Sequence, residues 1–261
     1  MTRFWMALTW AGLLASTAAA QAADSIAISY QASTGGAPMM KAGLSATIDG
    51  ANYSATFNAK TTGVTNMLSK YKLGMNITGN VQDAKLVPAH FTKSVDKKKK
   101  DKSVDLTFAS GGHTLVTQDG PQTETAPVIA ASGKGKAVDP LTAILRFAMT
   151  QGAEGAKPCS GKQRMYDGRD VVDLSLSLVK KSAAGYQCKL TYQSVAGRDV
   201  EDNDTQPYSY GVWLAPVAVP SSKTPLFLPV RLTGTYSKLP VTVEATGISV
   251  NGAGVAINIP D

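Results

Sequence analysis

Apolar and polar residues alternate along most of the chain, and this alternation restricts the fold more than any other feature of the sequence. Successive side chains of a β-strand point to opposite faces, so the pattern predicts strands with one apolar and one polar face. Turn dipeptides such as Asp49-Gly50 and Asn251-Gly252 separate the alternating stretches. Strands of this kind are typical of antiparallel sheets. The clearest stretches cover residues 26–30, 44–48, 53–57, 71–77, 104–108, 172–178, 226–232 and 241–245.

One stretch breaks the alternation and predicts an α-helix. Asp139 suits the N-cap, Pro140 the first helical position, and Gly152 the residue just past the end. Apolar residues follow the helical period on one face: Leu141, Ile144, Leu145 and Ala148. We expect this helix to dock in the mouth or against the concave face of the sheet. A shorter helical turn is expected near residues 64–70, and the polar segment 118–138 is interpreted as a loop crossing.

The first residues have the layout of a secretory signal peptide. Arg3 supplies a positive n-region, residues 4–14 a short apolar core, and residues 18–23 small side chains for cleavage. That core is too short to span a bilayer comfortably. We expect cleavage after Ala20 or Ala22, export to the periplasm, and a soluble mature protein. The domain boundaries follow: residues 1–22 are the signal peptide and residues 23–261 a single β-rich domain.

Two cysteines occur in the whole chain, Cys159 and Cys188. An even pair in an oxidising compartment predicts a disulfide. The alternative is a redox-active or metal-binding thiol pair, which would favour a C-x-x-C spacing or a nearby histidine. The sequence has neither, so the structural disulfide is the better interpretation.

A lysine-rich segment lies between two alternating stretches, where we expect a hairpin tip between a strand ending near Ser94 and one starting near Ser103. Charges at such a tip stay solvated and discourage edge-to-edge pairing. The alternative is contact with anionic lipid, worth about 1 kcal/mol per lysine near a charged surface. The formal net charge of +7 fits either reading, and in an exported protein it favours lipid headgroups or cell-wall polymers over nucleic acid. The candidate contacts are Lys97, Lys98, Lys99, Lys100 and Lys102.

The sequence offers little for catalysis. It has two histidines, His90 and His113, but no G-x-S-x-G motif whose serine a histidine could activate. It also lacks cysteines spaced to bind zinc together with these histidines. The segment GAKPCSGKQ departs from a phosphate-binding loop in spacing and in its last residue. Asp167, Asp170 and Asp173 lie in an ordinary turn and strand context. We therefore expect no enzymatic activity, no cofactor and no metal site.

Four segments together resemble the bacterial exported family called "domain of unknown function 3108". They are RMYDGRDVVDLSLSL, YQCKLTYQSVAG, GVWLAP and LPVRLTGTYSKLPVTVEA, and the resemblance extends from about residue 40 onward. It implies periplasmic residence and a mainly β fold, a strongly curved antiparallel sheet or open β-barrel or β-spiral with one main helix. The family implies no established reaction.

Several residues of these motifs are candidate contacts for a ligand or partner: Tyr166, Arg169, Tyr208, Tyr210 and Trp213. Tyr208 and Tyr210 form an aromatic run that suits the rim of a cavity. Arg169 suits either an anion anchor or a local pair with Asp167 or Asp170, and the local role is favoured. A tryptophan in such a strand more often packs in the core.

Two hypotheses follow for the function. In the first, a non-enzymatic envelope protein binds a lipid or a segment of a partner protein in its curved sheet. In the second, a structural or scaffolding protein has a filled core and binds partners along its exterior. Whether the predicted helix fills the apolar face of the sheet distinguishes the two.

Overall fold

The structure, a computed structural model, describes residues 23–68, 70–97, 100–109, 112–117, 126–133, 135–197, 206–236 and 239–257. The predicted signal peptide lies outside these residues. The described chain forms strands β1 (Asp24–Thr34), β2 (Ala37–Asp49), β3 (Asn52–Thr61), β4 (Tyr71–Gln82), β5 (Lys85–Lys97), β6 (Lys100–Ala109), β7 (Gly112–Thr117), β8 (Lys162–Tyr166), β9 (Val171–Ser182), β10 (Gly185–Ala196), β11 (Tyr208–Val217), β12 (Leu226–Tyr236), β13 (Leu239–Val250) and β14 (Ala253–Val255). Its helices are α1 (Gly63–Leu68), α2 (Ala126–Ser132) and α3 (Pro140–Gly152).

All the strands belong to one antiparallel sheet that does not close on itself. Its order is β7-β6-β5-β4-β3-β2-β1-β13-β12-β11-β10-β9-β8, with β14 paired to β13. The chain therefore winds outward from β1 to β7 on one side and from β13 back to β8 on the other. This arrangement confirms the prediction of a mainly β, open antiparallel fold.

The alternation in the sequence corresponds to two faces of the first half of the sheet. On β1, Ile26 and Ile28 are buried while Ser25 and Ala27 are exposed. The same face buries Leu44, Tyr53, Ile77, Phe91 and Leu106 on the strands from β2 to β6. We call this the inner face and the opposite, polar one the outer face. Burial of these side chains supplies most of the driving force for this half of the fold.

Helix α3 begins where the sequence predicts. The Asp139 side chain caps it by accepting hydrogen bonds from the backbone N–H groups of Leu141 and Thr142, each at 3.0 Å. Leu141 and Leu145 are buried in the main core against the inner face of the sheet. On another side of the helix, Phe147 packs with residues of β9. The helix is therefore buried on two sides, and it occupies the interior of the curved sheet.

A buried chain of hydroxyl groups joins α3 to β3. The Thr142 hydroxyl donates to the Asp139 carboxylate, and the Tyr53 hydroxyl lies 2.6 Å from Thr142 Oγ1. Because a hydroxyl has one proton, Tyr53 is the donor to Thr142 when Asp139 is ionised. Burial raises the pKa of both Tyr53 and Asp139 above their ordinary values. These contacts fix the start of α3 against the inner face.

Both faces of the sheet are apolar at β11 and β12, whereas the alternation of residues 226–232 predicts one apolar face. Trp213 and Ala215 are buried on the inner face, while Val212 and Leu214 are buried on the opposite one. Cys188 of β10 is opposite Val212 and belongs to this second cluster. These central strands are covered on both faces, so their sequence is a continuous apolar run.

Three boundary predictions were wrong. Residues 126–132, interpreted as loop, form α2. Gly152, expected just past the end of α3, is its last residue, and the C-cap is the extended residue Ala153. β5 and β6 continue past Ser94 and Ser103 to Lys97 and Lys100, because the backbone pairing of the two strands continues without a break through this charged segment. The predicted short helix near 64–70 is confirmed as α1.

Candidate functional site

The aromatic residues predicted to contact a ligand do not form one site. Tyr208 and Tyr210 lie on one face of β11, where the ring of Tyr208 is 6.2 Å from that of Tyr192. Trp213 lies on the other face and is packed in the main core. Its indole N–H has no hydrogen-bond partner among the described residues. Tyr166 is fully buried at the end of β8, with its ring 4.7 Å from that of His113.

The turn that follows Tyr166 is held by a side chain of the sheet. Asp167 accepts hydrogen bonds from the backbone N–H groups of Arg169 and Asp170, each at 3.0 Å. Its other oxygen accepts from Lys93 Nζ of β5 at 2.6 Å, and both side chains of this pair are largely buried. Gly168 packs against Val104, where a Cβ would be 2.3 Å from a methyl group. The turn therefore has a structural role, pinning β8 to β5.

Arg169 takes part in this turn mainly through its backbone. Its guanidinium is 3.8 Å from the Asp170 carboxylate, which is a weak local pair. Asp173, the third carboxylate considered for catalysis, accepts hydrogen bonds from Arg164 at 2.8 and 2.9 Å. These bonds hold the pKa of Asp173 below its ordinary value. A carboxylate paired in this way is a poor proton donor at neutral pH.

The predicted disulfide is present. Cys159 and Cys188 are bonded, with 5.5 Å between their Cα atoms. The bond joins the loop after α3 to β10, and both residues are buried with Phe227 and Leu214. It fixes the loop that follows the helix onto the second apolar cluster.

The lysine-rich hairpin is part of a larger basic surface at one end of the sheet. Lys97 is opposite Lys100, and Lys102 is opposite Val95; Lys98 and Lys99 lie outside the described residues. The β1–β2 turn, the β3–β4 connection and the β5–β6 hairpin are all at this end. We call this surface the basic end. Its described, exposed lysine side chains are Lys41, Lys60, Lys70, Lys72, Lys97 and Lys102.

A cleft of about 710 Å³ opens beside the basic end. β2, β3, β4 and β5 each contribute two outer-face residues and the one between them, which places the cleft on the outer face. These residues are 41–43, 58–60, 72–74 and 94–96, joined by Lys102 and Ser103. We call it the basic cleft.

Two rows of residues run across the strands in the basic cleft. The glycine row consists of Gly43, Asn58, Gly74, Ser94 and Ser103, each opposite the next in the register. The lysine row consists of Lys41, Lys60, Lys72 and Asp96. Since neighbouring strands are about 4.8 Å apart, three lysines lie within roughly 10 Å along this row. Lys72 is paired with Asp96 at 3.1 Å, whereas Lys41 and Lys60 have no carboxylate partner within the described part of the chain.

Sequence reasoning missed the basic cleft because its residues come from five strands. Only the register places Lys41, Lys60 and Lys72 side by side. A signal was nevertheless present: Gly43 and Gly74 interrupt the polar positions of two strands, and glycine inside a strand often marks a close approach of a ligand or backbone.

The remaining sites considered from the sequence are ordinary in the structure. His90 Nε2 lies 2.8 Å from Asp105 Oδ1 on the exposed outer face. No group of three metal-binding side chains occurs among the residues that the structure describes. Likewise, none of the described helices has the length and apolar character needed to cross a membrane.

Comparisons with known proteins agree with the fold. A family model described as "Protein of unknown function (DUF3108)" matches residues 29–226, well over half of the chain. A crystal structure of a beta-barrel-like protein of domain of unknown function DUF1849 from Brucella abortus is similar, with a TM-score of 0.50 and 11% sequence identity. The match covers 87% of this chain and 97% of that one, and it shows the fold alone. No curated protein matches the chain.

Proposed function

The chain belongs to the DUF3108 family of proteins of unknown function, and on that premise we propose that it is a non-enzymatic protein of the cell envelope. In this proposal it is exported to the periplasm, has a core filled by its own helix, and binds its partners on the exterior. The second of the two hypotheses drawn from the sequence is thus favoured over the first.

The position of α3 carries this proposal. Leu141, Leu145 and Ala148 are buried against the inner face, where a carrier would hold an acyl chain. The hydroxyl chain from Asp139 to Tyr53 adds polar contacts that a departing helix would break. A hydrophobic ligand at this place would have to displace α3 and leave these buried polar groups without partners, which is costly.

Two features support export. The layout of residues 1–22 is that of a signal peptide. The bond between Cys159 and Cys188 belongs with an oxidising compartment, because disulfides persist there and are reduced in the cytosol.

The basic end supports an anionic lipid surface as the exterior partner. Six exposed lysines, five of them on strands and one in the β3–β4 connection, lie at the same end of the sheet, and Asp96 is the acidic side chain described beside them. Positive charges spread over several neighbouring strands at one end suit contact with a negatively charged surface. Each lysine near such a surface contributes about 1 kcal/mol.

Native mass spectrometry of the protein purified from its own periplasm, followed by organic extraction, tests the filled core. We expect the mass of the chain without its signal peptide, less two hydrogens for the disulfide, and no bound acyl species. A lipid present at one copy per chain would contradict the proposal and support the hydrophobic-ligand hypothesis instead. Extraction of a Leu145→Ala variant is the control, because it opens space beside α3 and shows whether an acyl chain is detected when room exists.

A further inference from the structure

The glycines of the basic cleft have no conformational explanation. Gly43 and Gly74 lie inside β2 and β4, and neither has a positive φ. A Cβ at position 43 would meet only the Ile28 carbonyl oxygen at 3.8 Å, an ordinary contact. Glycine inside a strand is destabilising by about 0.5–1 kcal/mol relative to alanine. At position 43 the chain therefore lacks a side chain that its own structure would accommodate.

Because Gly43 and Gly74 have no side chains, the bottom of the basic cleft, which we call its floor, is open. A Cβ at position 74 would lie 2.9 Å from Ser94 Oγ and 3.6 Å from Asn58 Oδ1, so any larger residue would crowd these polar groups. The floor is thus lined by backbone, by hydroxyl groups and by the Asn58 amide. Serine hydroxyls and amide N–H groups donate hydrogen bonds to oxygen atoms of a ligand.

The lysine row indicates that a ligand of the basic cleft is negatively charged. Lys41, Lys60 and Lys72 are on adjacent strands, and like charges placed opposite each other destabilise a sheet. Asp96 neutralises one of them, which leaves Lys41 and Lys60 as net positive charge above the glycine floor. An anion bound between them would remove this repulsion. Lysine is a common point-charge partner of phosphate.

Size and position identify the source of the anion. The volume of about 710 Å³ lies within the range of small-molecule sites. The cleft is on the outer face and adjoins the basic end, so a membrane that contacts the hairpin of Lys97 and Lys102 would also present its headgroups to the cleft. We propose that the basic cleft binds the phosphate-bearing headgroup of an anionic lipid, with Lys41 and Lys60 holding the phosphate over Gly43 and Gly74.

This inference rests on the membrane contact proposed above and adds a specific site to it. The basic end alone would attract any anionic surface without discrimination. A cleft that admits one headgroup adds a contact that depends on shape as well as charge. Lys41 and Lys60 belong to both surfaces, so a change of shape at Gly43, which leaves the charge unaltered, is needed to separate the two contributions.

Binding to vesicles tests the site. The probe is phosphatidylcholine vesicles containing one third phosphatidylglycerol, compared with pure phosphatidylcholine, in a cosedimentation assay. A Lys41→Gln/Lys60→Gln variant is expected to bind the anionic vesicles about 30-fold more weakly than the wild type, from roughly 1 kcal/mol per lysine. The matched control is Lys85→Gln/Lys189→Gln, which removes two exposed lysines away from the basic end and is expected to lose far less.

A Gly43→Val variant separates shape from charge. Valine suits a strand, and the space above Gly43 tolerates a Cβ, so its thermal stability is expected to equal or exceed that of the wild type. Its binding to anionic vesicles is expected to be weaker, because the side chain fills the floor of the cleft. Unchanged vesicle binding by both this variant and the double lysine variant would overturn the inference.

Two further results keep the inference apart from the function on which it rests. If a variant with Lys97, Lys98, Lys99 and Lys100 changed to glutamine loses binding while the cleft variants retain it, the membrane contact stands and the headgroup site is wrong. If glycerol 3-phosphate binds at Lys41 and Lys60 while anionic vesicles do not bind, the site takes a soluble anion and the lipid assignment is wrong.

Discussion

Asp139 is the single residue on which the position of α3 most depends. Its carboxylate caps the helix and accepts the Thr142 hydroxyl while fully buried. Burial raises its pKa, and the hydrogen bonds from Thr142 and from the backbone N–H of Leu141 oppose that rise. The folded protein therefore holds this proton more tightly than the unfolded chain does.

This raised pKa predicts that the contribution of Asp139 to the free energy of unfolding decreases as pH rises. The stabilising contribution of protonated Asp139 is fully present below its unfolded pKa of about 4 and is lost as pH rises through the higher folded pKa. An Asp139→Asn variant keeps an acceptor oxygen for the helix N–H groups and does not titrate. The unfolding free energy of the wild type minus that of the variant is expected to fall as pH is raised from about 3.5 to about 7. Urea denaturation at several pH values measures it, and a difference that grows with pH would show that the hydrogen bonds outweigh burial.

The residues of the basic cleft show what single-residue reasoning misses. Lys97 and Lys102 could be identified from the sequence because they belong to a lysine-rich segment, which is a local pattern. Lys41, Lys60 and Lys72 are each isolated in the sequence and become neighbours only through the register of three strands. Without that register, no local pattern distinguishes them from solvated surface lysines.

At the scale of elements, Gly152 explains how closely α3 docks. The residue is glycine because a Cβ there would lie 1.8 Å from the Pro225 carbonyl oxygen, just before β12. Helix propensity alone would favour alanine by about 1 kcal/mol. A Gly152→Ala variant is nevertheless expected to be less stable by about 1–2 kcal/mol, because the helix must move away from β12. Urea denaturation tests this against Thr150→Ala, an exposed change in the same turn expected to lie within about 0.5 kcal/mol. A Gly152→Ala variant as stable as the wild type would show that the contact is relaxed in solution.

The strands and helices that could be predicted from the sequence are those whose residues follow a local periodic pattern. Parts of β1–β4 and β6 alternate clearly because one face of these strands is buried, and α3 has a cap and a proline that fix its start. α2 was missed because seven residues with no charged residue in the first or last turn resemble a loop. β11 and β12 lose their alternation because both faces are covered. Their burial is decided by the second apolar cluster, which forms only in the folded chain.

At the scale of the whole molecule, the disulfide acts on the unfolded chain. Cys159 and Cys188 are 29 residues apart, and closing such a loop is expected to stabilise the fold by roughly 3.5 kcal/mol. A Cys159→Ala/Cys188→Ala variant is expected to lose about this free energy of unfolding. Urea denaturation of the variant and of the reduced wild type measures it, since the reduced protein keeps both buried sulfur atoms. A loss below about 1 kcal/mol would mean that the unfolded chain already holds this loop compact.

The pairing of β1 with β13 constrains the order in which the strands of this protein can pair during folding. Ile26 is opposite Val250, so the seam in the middle of the sheet joins residues more than two hundred positions apart. The hairpins from β1 to β7 can form as they emerge, but the edge of β1 stays open until β13 arrives. Contacts of such long range form slowly. A chain interrupted before β13 would therefore leave β1 as a bare edge that is able to pair with other chains.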